Sequence, residues 1–520
     1  MTRRPAVVID TSPTPNGDLH IGHLAGPFLG ADVHARYLRA RGRTVVFSTG
    51  TDDSQTYLVP SAARQGTTPE ELAARSHDAI GRTLELAGIS IDGYAPYDDD
   101  YRENAYRFVT ELHDKDKLEL RTVSFPCRSD TGEVLVEGFV AGYCPVCVSE
   151  SRGGVCEMCG HPNNFDQLLD PWSTVAPDVP VVTKQFEVLV LPMERYRTEL
   201  TAFYEARTAE LRPRTLQFLR EALARPLPDF PVTYPLSYGL PSPLPGTEGQ
   251  VLNAWVEGIP AAMYCTRFAA RELGGDVAEV DLWLAEQDPE IIYFIGSDIV
   301  YFWCLTHLAL LMAHDGRYAL PDKIISNEFY ELDNDKFSTT RGRVVYIGEL
   351  LERLSRDAVR FHLALTGPEH QRTTFGREAV ERVTDTRLVH PWNELADALD
   401  AVPAEGELPV GEDARLRVRA MLDRFIDCYE AEHYSPSRAA DLVDAQLNRL
   451  TRAAREGAQA GDLFLQVRAL IAGASPILVD LAERARAAGG WDGTLDPADY
   501  EVDTVRPFEV PRLTPAAPVT

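Results

Sequence analysis

Four cysteines and two histidines carry the densest chemistry in this sequence. Cys144-x-x-Cys147 and Cys156-x-x-Cys159 stand close together, while Cys127, Cys265, Cys304 and Cys428 are scattered. Two thiol pairs at this spacing, each in a tight turn, are the ligand set of a four-thiolate zinc site. Four thiolates close the tetrahedron and leave no place for water, so the ion is structural. Two disulfides are the competing arrangement, and a reducing compartment disfavours them. His20 and His23 stand three apart and so share one helical face. They fall at the start of a helix, where free N–H groups and the positive dipole end favour a phosphate. Two imidazoles there can donate to a phosphoryl group as charge builds. Gly22 between them leaves room for a nucleotide's ring or ribose. A helix start that merely carries two histidines is the plain alternative.

The elements that position these groups alternate. Ala6-Val7-Val8-Ile9-Asp10 is a short β-branched run that predicts a buried strand. A turn-rich stretch leads to a helical pattern from about Ile21 through Ala40, stopped at Gly42, and Thr44-Val45-Val46-Phe47 predicts the next strand. This β-α-β unit implies a Rossmann-like parallel sheet. A second helix opens at Thr68-Pro69-Glu70-Glu71 with a capping box and ends near Gly88. The alternation breaks at about residue 119, where the cysteine cluster and Pro-rich stretches appear, and Pro226 to Gly246 reads as a connector. Strand and helix signals return at Ile291 to Gly296 and Val300 to Met312.

From about residue 376 the pattern is helical, with amphipathic stretches at Arg415 to Glu432 and Leu463 to Ala485 and an irregular strap after Trp491. The expected fold is therefore α/β: a split Rossmann-like parallel sheet, a zinc-knuckle insertion and a C-terminal α-helical bundle. The expected parts are a first half of the sheet domain over 1–118, the insertion over 119–245 and the second half over 246–325. A segment carrying Lys336 follows over 326–375, then the helical region and tail over 376–520.

At 520 residues and 44% hydrophobic, the chain is long enough for several cores. The net charge of −28 argues against a generally basic nucleic-acid surface, though not against a local stripe. No apolar run approaches the roughly 20 residues that span a bilayer, and no signal-peptide stretch follows Met1. The expectation is a cytoplasmic protein with no membrane segment. Basic residues are nearly all arginine, and the last lysine is Lys336; a lysine in such a background suggests a site that wants a compact ammonium.

Pro13-Thr14-Pro15-Asn16-Gly17-Asp18-Leu19-His20-Ile21-Gly22-His23 resembles the His-Ile-Gly-His signature of class I aminoacyl-tRNA synthetases, and of the methionyl-tRNA synthetase family in particular. Lys336-Phe337-Ser338-Thr339-Thr340-Arg341-Gly342 resembles that family's Lys-Met-Ser-Lys-Ser loop. The resemblance implies that Lys336 neutralises the leaving pyrophosphate and that Ser338 and Thr339 line the ATP phosphates. Thr339 stands where the family usually has a second lysine, a departure that should weaken ATP binding or slow adenylate formation, or leave a partner cation such as Mg²⁺ or Arg341 to compensate. Phe294 to Phe302 is similar to the family's strand-to-helix turn, with Gly296 and Asp298 facing the ribose hydroxyls; a capping aspartate is the alternative for Asp298. The cysteine knuckle also has its counterpart in the family's connective insertion. ATP as co-substrate, Mg²⁺ and a structural Zn²⁺ are thus implied.

Asp53 matches the family carboxylate that holds the substrate's α-ammonium, with a plain strand-end aspartate as the alternative. The resemblance weakens at the side-chain pocket. Trp255 remains, but Ser12, Thr14, Ile259, Ala262, Trp303 and His307 replace residues of the family's thioether collar. Two hydroxyls and an imidazole against a thioether would cost on the order of 1–3 kcal/mol each if unpaired. The expectation is a small or polar amino acid rather than methionine. From residue 376 onward there are 16 arginines, no lysine and 26 acidic residues, a poor footprint for a polyanion. The expected acceptor is therefore a small molecule or a protein, with tRNA possible, and the chain is expected to be a monomer. A methionyl-tRNA synthetase that charges tRNA and a non-catalytic binding protein are the alternatives.

Overall fold

The computed structural model describes residues 4–163, 167–332, 335–336, 344–402 and 406–517. Five strands, β1 (Ala6–Asp10), β2 (Val45–Gly50), β3 (Gly93–Ala95), β4 (Glu290–Gly296) and β5 (Lys323–Asn327), form one parallel sheet in the order β5-β4-β1-β2-β3. Every residue of β1 and β2 is buried, as β-branched runs covered on both faces require. The strand order reverses beside β1, which pairs with β2 on one edge and β4 on the other. The carboxyl ends of those three strands therefore open a crevice at the switch point.

Helices α1 (Leu29–Ala40), α2 (Pro69–Leu86), α3 (Asp99–Asp114) and α4 (Ala254–Leu273) cover the sheet. Between β1 and α1 the predicted continuous helix is interrupted. Ile21–His23 form one turn and Leu24–Phe28 widen into a π-turn before α1 takes over. Pro27 offers no N–H to the ladder, and Gly26 leaves the helical region at φ −86°, ψ −119°. The start of α2 follows its sequence: Thr68 accepts from the Glu71 N–H, and the Glu71 carboxylate accepts from the Thr68 N–H.

The insertion is antiparallel. Glu119–Arg128 pairs along its length with Val181–Leu191, and small hairpins carrying the cysteine pairs lie between them.

Helix α5 (Arg356–Thr366) leads into a bundle of α6 (His390–Asp400), α7 (Glu412–Tyr429), α8 (Pro436–Arg455), α9 (Ala460–Ala474) and α10 (Val479–Ala487). The single stretch expected over Leu463–Ala485 is two helices, parted at Ser475-Pro476 because proline clashes with the preceding turn and donates nothing to it. Helix α9 is buried nearly all round and forms the bundle's centre. The strap after Trp491 returns across the bundle: the Trp392 indole donates to the Pro511 carbonyl at 2.8 Å, and Arg512 binds Asp397 and Asp400.

One buried arginine ties the two halves together. The Arg360 guanidinium of α5 donates to Asp32 of α1 at 2.6 Å and to the carbonyls of Ala87, Pro476 and Ile477 at 3.0, 2.8 and 2.8 Å. A charge taken from water requires such a complete set of partners. Burial alone would raise the Asp32 carboxyl; Arg360 and Arg36 reverse that and hold it below its ordinary value. Among the described residues, no helix is long and apolar enough to cross a membrane.

Candidate active site

The carboxyl end of β1 runs through Ser12 and Thr14, both half-buried, to His20. His20 caps the following turn, its Nδ1 accepting from the Gly22 N–H at 3.2 Å. His23 returns the bond, its Nδ1 accepting from the His20 N–H at 3.2 Å. The rings stack with centroids 3.8 Å apart and planes 18° from parallel. Because both Nδ1 atoms accept, each neutral ring carries its proton on Nε2. The local fold thus sets two imidazoles side by side at the carboxyl end of β1, residue types suited to phosphoryl oxygens.

The chain just past the second motif meets the first through the backbone. Asp335–Lys336 pairs antiparallel with Tyr330–Leu332, Lys336 opposite Glu331. The Lys336 side chain, Ser338 and Thr339 lie outside the described residues. A few residues on, the Ile21 N–H donates to the Val345 carbonyl at 2.9 Å, and His20 bridges to Tyr346. Val345 and Tyr346 therefore lie against the histidine turn.

Gly296 and Asp298 follow β4. A methyl group at Gly296 would stand 2.4 Å from Asp298 Oδ1, so glycine is what lets that carboxylate fold back over the strand end.

Asp52 and Asp53 follow β2. Burial pushes the Asp53 carboxyl up to about 6 and that of Asp52 up to about 7. Glu257, in the first turn of α4, accepts from Ser54 at 2.9 Å and from Tyr101 at 3.2 Å, which fixes α4 against the Asp52–Asp53 turn. Burial holds the Glu257 carboxyl well above the usual range.

Trp255 of α4 stacks on Phe302, centroids 3.7 Å apart and planes 3° from parallel. Ile259, Ala262 and Trp303 are buried in the same apolar cluster. Trp303 meets the His307 ring edge-on at 4.8 Å. His307 is fully buried, its Nε2 bonded to the Trp255 carbonyl at 2.8 Å and its Nδ1 without a partner. Burial lowers its pKa to about 4, so the ring is neutral. Gly258 makes this seat possible: a methyl there would lie 2.6 Å from His307 Cε1. The expected polar contact is thus half committed to the fold, since one ring nitrogen already serves the backbone of α4.

The four knuckle thiols converge. All their sulfurs lie within 4.8 Å of one another, and the Cys144–Cys159 and Cys147–Cys156 separations are 3.6 Å. Zn–S bonds of about 2.3 Å in a tetrahedron set sulfurs roughly 3.8 Å apart, so the set fits zinc. The same cysteines are free thiols, which removes the disulfide alternative.

Residues 7–398 match the family described as tRNA synthetases class I (M). The chain belongs to that family. Among its relatives, the methionine–tRNA ligase of Chlorobaculum tepidum is 30% identical over 469 residues, covering 86% of this chain and 66% of that protein. That of Roseiflexus sp. (strain RS-1) is 29% identical, covering 96% of this chain and 89% of its own length. The chain spans roughly three-fifths to two-thirds of the first curated relatives it matches. Mycobacterium tuberculosis methionyl-tRNA synthetase bound by methionyl-adenylate has the same fold, with a TM-score of 0.75 at 20% identity over 98% of this chain and 99% of that one.

Sequence reasoning overlooked two contacts of this class I (M) scaffold. Val345 and Tyr346, which meet the histidine turn, carry no chemical signature. Glu137, whose carboxylate accepts from the Trp255 indole at 3.4 Å, sits in the insertion far along the chain from the pocket it touches.

Proposed function

We propose that this class I (M) synthetase condenses an amino acid with ATP to an aminoacyl adenylate, releasing pyrophosphate, and passes the acyl group to tRNA, with methionine as the amino acid. The observation that supports the reading is the Ile21–Val345 bond, which sets the chain just past the Lys336–Gly342 motif against the histidine turn. In this reading the amino acid's carboxylate oxygen attacks the α-phosphorus and the bond to the β-phosphate oxygen breaks. His20 and His23 donate to the phosphoryl oxygens while Lys336 neutralises the pyrophosphate. Asp298 accepts from the ribose, and Asp53 holds the α-ammonium. Mg²⁺ would screen the remaining phosphate charge, and Zn²⁺ in the four thiolates would hold the knuckle's shape. Methionine and tRNA are the substrates named for the relatives, and the Trp255–Phe302 stack with Ile259, Ala262 and Trp303 offers an apolar wall for a thioether.

A second reading keeps the adenylate and changes both substrates: a small or polar amino acid, handed to a small-molecule or protein acceptor. The unpartnered His307 Nδ1 and the acidic bundle favour it. Amino-acid-dependent exchange of pyrophosphate into ATP across a panel of amino acids, followed by tRNA charging, decides between them. Exchange with methionine and charging of tRNA supports the first reading. Exchange with another amino acid and no charging supports the second. No exchange with any member of the panel overturns both.

A further inference from the structure

The zinc knuckle and the amino-acid pocket share one side chain. Glu137 is 4% exposed and adopts φ +50°, a left-handed conformation that non-glycine residues seldom take. The knuckle fits closely around it. A methyl group at Gly153 would lie 2.3 Å from the Glu137 nitrogen, and one at Gly154 would lie 2.4 Å from Glu137 Oε2. Both glycines link the two cysteine pairs, between the strand Glu150–Arg152 and Cys156. The next residue, Gly138, donates its N–H to Thr56 Oγ1 at 2.8 Å, and the Tyr57 hydroxyl donates to the Gly153 carbonyl at 3.1 Å. The same corner thus grips the segment just after Asp53. On the pocket side, Glu137 Oε2 accepts from the Trp255 indole, whose ring lies on Phe302 and whose carbonyl takes His307.

From this continuity we infer that Glu137 is a positioning residue through which the metal-bound knuckle sets the Trp255 indole and thereby the affinity for the amino acid. The inference rests on the reading of Trp255 as a pocket wall given under Proposed function. It is directional: the knuckle fixes Gly153 and Gly154, these fix the Glu137 carboxylate, and the carboxylate fixes the indole. None of the residues read as ATP contacts is a member of this relay, so the ATP KM serves as its control.

The test uses the full chain with zinc bound. Glu137→Ala should raise the amino-acid KM about 10-fold, the size of one lost hydrogen bond, with the ATP KM and zinc content unchanged. Glu137→Gln keeps an acceptor and should restore the KM to within about twofold. Stripping zinc with a chelator should shift the tryptophan emission of the wild type, should shift that of Trp255→Phe less, and should raise the amino-acid KM. In Glu137→Ala, stripping should add nothing further to either readout. An unchanged KM in Glu137→Ala overturns the inference, as does emission from Trp255 that ignores zinc removal. If Glu137→Ala does not fold, Gly154→Ala, whose methyl meets the same carboxylate oxygen, supplies the same readouts. The emission arm needs no turnover, so a chain that activates no amino acid fails the proposed function alone and still answers this question.

Discussion

Ile21 and Val345 are joined by a backbone hydrogen bond of 2.9 Å, so the turn that carries His20 and His23 is tied to the chain three residues past the Lys336–Gly342 motif. Because the bond is between backbones, it holds whatever side chains occupy either motif. The reading proposed above, in which the histidines and the lysine serve one nucleotide's phosphates, builds on this junction.

Binding of the amino acid should weaken in acid. Burial lifts the Asp53 carboxyl to about 6 in the free protein, and only the ionised form attracts an α-ammonium. Binding therefore expels a proton below that pH. The expected kcat/KM for the amino acid is flat near neutrality and falls about tenfold per pH unit below pH 6. Asp53→Asn should lower the neutral plateau and remove the acid limb. A wild-type profile flat down to pH 5 would sink the assignment.

The Gly258 seat predicts a steric effect on the pocket. In Gly258→Ala the new methyl would stand 2.6 Å from His307 Cε1 and 2.9 Å from Nε2. The imidazole must shift and its bond to the Trp255 carbonyl must break. Overpacking of this kind costs about 1–3 kcal/mol. Steady-state kinetics should show the amino-acid KM rising roughly tenfold by lost binding, with the ATP KM near wild type. An unchanged amino-acid KM would place His307 outside the pocket.

Arg360 should dominate the union of the catalytic half with the bundle. Arg360→Leu leaves Asp32 buried without its main partner and three carbonyls without a donor, a loss of about 3–5 kcal/mol in chemical denaturation. Arg360→Lys should not recover it, because an ammonium cannot reach the five acceptors, Gly88 among them, that the planar guanidinium spans. Full recovery with lysine would contradict the account.

What the sequence made legible was local. The β1 run, the Thr68–Glu71 capping box and the two Cys-x-x-Cys turns each need only near neighbours, and each forms as read. The stretch over Leu463–Ala485 was read through Pro476, where the apolar periodicity persists although the backbone must break. The Glu137–Trp255 contact was invisible for a different reason. It depends on how the insertion folds back over α4, and no periodicity or motif in either segment encodes that approach. Likewise, His307 appeared as a polar intruder in an apolar collar. Its bond to the Trp255 carbonyl emerges only once α4 and the helical segment after β4 are placed side by side.

The most direct test of the shared phosphate site is a double-mutant cycle on pyrophosphate exchange with His20→Ala and Lys336→Ala. Each single variant should reduce the rate about 10²–10³-fold, the usual loss for one donor to a charged transition state. If both groups serve one nucleotide, the double variant should fall well short of the product of the two losses. Losses that multiply in full would mean that the histidine turn and Lys336 act independently, and the site built on the Ile21–Val345 junction would be wrong.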